Sequence, residues 1–275
     1  MLAHYINLKA ATARRARLEA QVQALPPGQW VLQRFEAIEA HSDECRLAPG
    51  RISEREKGCF LSHKALLTQM LHSGVDIPVM VWEDDVLVGP SAHAAVERFL
   101  AQAAPGSWDI LYTDLIVPDL GSMLELLTRS RKLRAHQEVE VLDLRGRSFA
   151  GASAYLVNPR SLQKVVAALD SVAALNEPVD LLLRRFIHEG ALSARALFPF
   201  VTTVSDASLQ SQIQPDADTG SDLAWTLFRR LMWSERQVES LYPMCNQLSS
   251  LRPDPESSVM GVITAALISP YFKPK

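Results

Sequence analysis

Short apolar runs of strand length alternate with longer stretches of helical periodicity along roughly the first 190 residues of the chain. HYINL, residues 4–8, reads as a first strand. Residues 11–24, rich in Ala, Arg, Leu and Gln, read as a helix that stops before Pro26-Pro27. Residues 31–40, VLQRFEAIEA, predict a second strand and a turn. The stretch 51–74, RISEREKGCFLSHKALLTQMLHSG, predicts the best-delimited helix: Ser53 and Glu56 have capping-box spacing, Ile52 sits where a staple residue belongs, and Gly74 closes the far end. Phe60, Leu67 and Leu71 recur there at helical spacing and predict a core-facing stripe.

IPVMVW, residues 77–82, has no polar interruption, as expected of a strand covered by helices on both faces. WDILYTD (108–114) is a further strand. GASAYLVNPRSLQKVVAALDS (151–171) passes from a strand into a helix, with Asn158 as N-cap and Pro159 in the first helical position. PVDLLLRRFIHEG (178–190) predicts a helix ending at Gly190, and 210–221 predicts a loop. This order predicts an α/β fold with a mostly parallel central sheet flanked by helices. Residues 1–210 form the expected main domain, and 211–275 a mainly helical region packed on it.

Composition narrows the function classes. With 48% hydrophobic and 21% charged residues the chain can bury a sizeable core, and its net charge of −3 offers no positive field for nucleic acid. Cys45, Cys59 and Cys245 form neither a disulfide framework nor a paired thiolate site, so a reducing compartment is expected. The amino-terminal segment lacks the long apolar stretch of an export signal, and the apolar tract 259–272 is shorter than the ~20 residues of a spanning helix.

One chemical feature stands out against this ordinary background. Glu83, Asp84 and Asp85 directly follow the apolar run. Continued as a strand, the run puts Glu83 and Asp85 on one side and Asp84 on the other. Three adjacent carboxylates repel one another, and placing them in a cleft requires a cation, a basic side chain or hydrogen-bond donors. Hard oxygen ligands suit Mg²⁺ or Mn²⁺, and the carboxyl end of a strand is where an open α/β sheet places its ligand crevice. A solvated acidic turn is the plainer reading of the same three residues.

The landmarks YINL (5–8) with Arg14-Arg15, FEAIEA (35–40), EKGCFLSHKALL (56–67), VWEDDV (81–86), WDILYTD, GASAYLVNPRSLQKV (151–165) and PVD (178–180) occur in one order. In that series the chain resembles glycosyltransferase family 25, which contains bacterial lipopolysaccharide and lipooligosaccharide sugar transferases and collagen galactosyltransferases. The resemblance covers about the first 190 to 210 residues. It implies a GT-A-like nucleotide-sugar-binding fold and inverting transfer of a hexose, galactose from UDP-galactose first among the candidates, to a lipid-linked core saccharide. It also implies a cytoplasmic location with peripheral contact at the inner membrane. Three landmarks depart from the family's usual residues: Arg55-Glu56-Lys57 before Gly58-Cys59, Trp82 before the acids, and Tyr112-Thr113-Asp114 after Trp108-Asp109.

Within that frame Glu83 and Asp85 are candidate ligands of Mn²⁺ or Mg²⁺, and Asp84 a ligand of ribose or sugar hydroxyls. Arg14 and Arg15 are candidates for the diphosphate, Asn7 for uracil or ribose, and His63 for phosphate or for support behind the site. Gly151 and Ser153 are candidates for close backbone approach and for a hydrogen bond to the donor. Inverting transfer needs a base, for which Asp180 is the first candidate and Asp114 the second. Asp180 equally suits an N-cap and Gly151 a tight strand entrance, while His188 is a weaker metal or phosphate candidate that also suits the last turn of its helix. Arg229 and Arg230, near Trp225 and Trp233, are candidates for a phosphorylated lipid or for the charged side of a helix. A noncatalytic carbohydrate-binding protein and a metal-dependent nucleotidyltransferase or nucleotide-sugar hydrolase are the competing classes.

Overall fold

The computed structural model describes residues 1–209 and 219–250, with isolated positions 256, 259, 260 and 263 beyond them. In chain order the elements begin β1 (Leu2–Asn7), α1 (Thr12–Gln23), β2 (Val31–Glu36), α2 (Asp43–Leu47), α3 (Glu54–His72), β3 (Val79–Glu83), β4 (Val86–Val88), α4 (Ala92–Gln102) and β5 (Ile110–Tyr112). They continue as α5 (Leu120–His136), β6 (Glu140–Asp143), β7 (Ala154–Val157), α6 (Leu162–Asp170), α7 (Val179–His188), β8 (Ala194–Phe198), β9 (Thr202–Val204), α8 (Thr219–Leu231) and α9 (Tyr242–Ser250). Most of the tract 259–272 and residues 210–218 of the expected loop lie outside the described residues, while 219–221 begin α8.

Seven strands form one sheet in the order β2-β1-β3-β7-β5-β8-β6, and β4 pairs with β9 in a small second sheet. Five of the seven run in one direction. β7 and β6 run the other way, so the neighbours β3–β7, β7–β5 and β8–β6 are antiparallel pairs within a mostly parallel sheet.

The unbroken apolar character of β3 follows from its central place. Val79 and Val81 enter one core with Phe60, Leu66 and Leu67 of α3 and Val165 of α6. Met80 and Trp82 enter a second core with Leu18 of α1 and Val96 and Phe99 of α4. Leu66 and Leu67 are fully buried, each worth roughly 1.5–3 kcal/mol by removal from water, while Leu71 is half-buried.

The expected ends of α3 are present. The Ser53 hydroxyl accepts from the Glu56 amide at 3.2 Å, and the Ser53 amide donates to Glu56 Oε2 at 2.9 Å. Asn158 caps a short 3₁₀ turn, Pro159–Ser161, ahead of α6. Elements not predicted include α5 and β6, although Met123, Leu126 and Leu127 at helical spacing and Asp119 accepting from the Ser122 amide mark α5 locally. Among the described residues no helix is long and apolar enough to cross a membrane.

Candidate functional site

The sheet gathers the candidate residues along one edge. β1 and β3 run parallel with Ile6 opposite Glu83, so Asn7 and the acidic run leave the sheet side by side. β7 begins where β3 ends: Ala154 lies opposite Trp82, and the Glu83 amide donates to the Ser153 carbonyl at 2.8 Å. β5 ends beside them, with Tyr112 opposite Tyr155, and Asp114 follows two residues later. The strand itself stops at Glu83. Asp84 and Asp85 occupy the turn into β4, so the alternation of faces expected through Asp85 does not extend that far. The Asp85 carbonyl is held from below by the Ser205 amide at 2.8 Å.

Arg14 from α1 supplies the first positive partner. Its Nη1 donates to Asp84 Oδ1 at 2.9 Å and lies 3.5 Å from Asp85 Oδ2, while Nη2 donates to the Ala207 carbonyl at 2.6 Å. Asn7 Nδ2 donates to Asp84 Oδ2 at 2.7 Å and to the Ala11 carbonyl at 3.1 Å, and Asn7 Oδ1 accepts from Arg34 Nε at 3.0 Å. Both Asn7 N–H groups are thus engaged within the protein. Arg15 is not brought to this edge. It lies on the exposed face of α1, 3.1 Å from Glu19.

Asp85 is the strained member of the run. Its Oδ1 is buried with no hydrogen-bond partner among the described residues. Burial first, and then the charge of Glu83, raise its pKa to about 7 and make it a weaker acid. An orphaned carboxylate oxygen beside a second carboxylate is a donor set that fits a hard divalent cation.

Arg229, from α8, is the second positive partner. Its Nε donates to Asp114 Oδ2 at 2.7 Å and its Nη2 to Asp114 Oδ1 at 2.5 Å, a two-pronged ion pair with both side chains almost fully buried. Ser153 Oγ donates to Asp114 Oδ1 at 3.0 Å and also accepts from Arg229 Nη2. The Arg229 charge reaches Glu83 and Asp85 as well. Burial works to raise the Glu83 acidity value, but His63, Arg229 and Arg14 together outweigh it and hold Glu83 below its ordinary value.

A third group lies on the α3 side. Cys59 and His63, one helical turn apart, face Glu83: His63 Nε2 is 3.3 Å and the Cys59 thiol 3.8 Å from Glu83 Oε1. His63 Nδ1 is 2.8 Å from the Tyr155 hydroxyl, and the two rings stack with centroids 5.7 Å apart. These three side chains form a candidate metal cluster, their ligand atoms all within 4.8 Å of one another. Burial, then the charges of Glu83 and Asp180, keep the Cys59 thiol well above its ordinary value.

Asp180 lies in the first turn of α7, and its Oδ2 accepts from the Gly151 amide at 2.8 Å. The N-cap of α7 is Pro178, so Asp180 does not cap its own helix; it reaches across to the loop before β7. Gly151 has φ +92°, a conformation that favours glycine and aims this amide at the carboxylate. No side chain among the described residues holds the other oxygen of Asp180, which is half-buried.

Residues 1–183 match the profile of "Glycosyltransferase family 25 (LPS biosynthesis protein)". The chain belongs to glycosyltransferase family 25. Similar proteins include the lacto-N-neotetraose biosynthesis glycosyltransferase LgtE of Neisseria meningitidis serogroup B, 30% identical over 178 residues and covering 58% of each chain. LgtB of Neisseria gonorrhoeae, of the same description, is 31% identical over 199 residues, covering 66% of this chain and 65% of the relative. The match thus spans less than two thirds of the length of either relative.

Every candidate from Asn7 to Asp180 except Arg15 lies in these linked clusters inside the family 25 match, whereas Arg229 lies beyond it. Arg229 and Arg230 are not a lipid-facing pair: both are buried, and Arg230 Nε donates to the Val204 carbonyl while Nη1 pairs with Asp206. The signal was local. LFRRLMW (227–233) sets two charges amid apolar residues, which places them in a core where they require partners. The spacing of Cys59 and His63 likewise marks one helix face, and His188, exposed in the last turn of α7, lies 2.8 Å from the Arg147 carbonyl and edge-on to Phe149.

Proposed function

We propose that this protein is an inverting glycosyltransferase that moves a hexose, galactose from UDP-galactose, to a hydroxyl of a lipopolysaccharide or lipooligosaccharide core acceptor. The observation that carries the reading is the buried, unpartnered oxygen of Asp85 at the carboxyl edge of the sheet, beside Glu83 and held in place by Arg14. That edge is where an open α/β sheet receives a nucleotide. Asp85, with Glu83, would hold Mn²⁺ or Mg²⁺. The ion supplies positive charge to the departing diphosphate.

The chain's own residues do the rest. Asn7 and Arg14 each hold one Asp84 oxygen, so this carboxylate would meet ribose or sugar hydroxyls only as an acceptor through its remaining lone pairs, not as a base. Asp114, locked by Arg229 and Ser153, is a positioning group rather than a base, because both of its oxygens are spent on that pair. Asp180 is the base: the Gly151 amide holds one oxygen, leaving the other to take the proton of the acceptor hydroxyl as its oxygen attacks the anomeric carbon. The bond from that carbon to the diphosphate breaks on the opposite face, and UDP leaves. A lipid-linked acceptor together with a nucleotide-sugar donor would have the enzyme work at the cytoplasmic face of the inner membrane.

Calorimetric titration with UDP-galactose, UDP-glucose, UDP-N-acetylglucosamine and UDP, with and without Mn²⁺, tests the donor site. Selective binding that disappears in Asp85→Asn is expected. No binding of any of the four under either condition overturns the assignment. Product analysis separates the neighbouring chemistry, since a transferase yields a glycoside and UDP whereas a nucleotidyltransferase releases pyrophosphate.

A further inference from the structure

Glu83 faces two different partners. Toward the turn it adjoins Asp85, a hard-oxygen environment. Toward α3 its Oε1 meets a thiol and an imidazole. The second arrangement has no place in the transfer chemistry above, and its chemistry is not that of Mg²⁺ or Mn²⁺, which take oxygen ligands. Sulfur, nitrogen and a carboxylate oxygen together suit Zn²⁺.

The spacing supports such an ion. In a tetrahedral zinc site, bonds of about 2.0–2.3 Å place N and O about 3.4 Å apart and S and O about 3.6 Å apart. The separations here are 3.3 Å for His63 Nε2 to Glu83 Oε1 and 3.8 Å for Cys59 Sγ to the same oxygen. The third edge, Cys59 Sγ to His63 Nε2, is at most 4.8 Å against the roughly 3.6 Å of such a site, so side-chain rotation has to close it as the ion binds. The imidazole is held from behind, as zinc-bound histidines are: Nδ1 lies 2.8 Å from the Tyr155 hydroxyl, and the ring stacks on Tyr155, which is fully buried. Glu83, with 28% of its side chain exposed, gives an ion access to the cluster. A thiolate and a carboxylate neutralise a dication, and the thiol proton passes to solvent as the S–Zn bond forms.

We propose that Cys59, His63 and Glu83 form a zinc site on the α3 side of the donor edge, and that Zn²⁺ bound there withdraws Glu83 from Asp85. The same carboxylate then serves either a hard ion at the turn or a soft one against α3, which makes zinc an inhibitor acting from within the site. The zinc site rests on geometry on the α3 side alone, whereas its inhibitory effect rests on the donor-site role of Glu83 proposed above.

The test is direct binding in the absence of nucleotide, with tag-free protein titrated with Zn²⁺ and with Co²⁺ as a spectroscopic probe. One equivalent per chain is expected, with a thiolate-to-cobalt charge-transfer band in the near ultraviolet and no displacement by excess Mg²⁺. Cys59→Ser, nearly isosteric, is expected to abolish the band and to weaken Zn²⁺ by more than the roughly 100-fold ceiling typical of outer-shell changes. Tyr155→Phe is expected to weaken it about 10- to 100-fold, and Asp85→Asn to leave it unchanged. Absence of micromolar binding, a cobalt complex without the thiolate band, or unchanged affinity in Cys59→Ser overturns the proposal. None of these results bears on UDP-sugar binding, so the transferase reading stands or falls separately.

Discussion

Removing the Arg229 guanidinium tests whether α8 supplies the counter-charge beneath the acidic edge. In Arg229→Met the apolar stem is kept and the charge is lost. Asp114 is 1% exposed and receives two of its hydrogen bonds from Arg229, with Ser153 as its other side-chain partner. Removing one member of a buried ion pair typically costs about 3–5 kcal/mol, because the remaining charge stays desolvated. With about 2.1 cal/mol/K of unfolding entropy per residue over 275 residues, that corresponds to a Tm lower by roughly 5–9 °C. Urea rather than guanidinium chloride is the denaturant to use, since it does not screen charge. The double variant Asp114→Asn/Arg229→Met removes both charges and is expected to be more stable than Arg229→Met alone. A loss below about 1 kcal/mol for Arg229→Met, or a double variant that simply sums the single losses, would refute the view of the pair as a coupled, desolvated unit.

Three further outcomes follow from the same geometry. Asp85 has a folded value of about 7 against an unfolded value of about 3.9, so the folded state binds the extra proton between them and stability falls as pH rises through that window. Asp85→Asn is accordingly expected to stabilise the protein at pH 8, on the order of 2–4 kcal/mol, with the gain shrinking toward pH 4; equal effects at both ends would contradict the burial argument. Asp180→Asn is expected to lower kcat by about 10²- to 10⁴-fold with little change in donor KM, and an unaltered kcat in steady-state assays would remove Asp180 as the base. Gly151→Ala forces a side chain into φ +92° and displaces the amide that orients Asp180, so a stability loss of about 1 kcal/mol or more together with a lower kcat is expected by thermal melting and kinetics.

Much of this protein was legible in its linear pattern. The capping box of α3, the two-sided burial of β3 and the early alternation of strand and helix rest on local spacing and side-chain chemistry, so they were readable without contacts, whereas α5 and β6 were not. The acidic run announced itself for the same reason: three carboxylates at a strand end require an explanation wherever they occur.

What completes the site was decided by tertiary structure. Pattern alone could not say that β7 would enter the sheet antiparallel between β3 and β5, and that reversal is what brings Ser153 to the edge where Glu83 emerges. Nor could it choose between neighbouring arginines. Arg14 faces the acids and Arg15 the solvent because consecutive positions on a helix point about 100° apart. Arg229 stands 115 residues from Asp114 along the chain, yet supplies both prongs of its ion pair. Local periodicity reports which face of an element is apolar, whereas the partner of a buried charge is set by how distant elements pack.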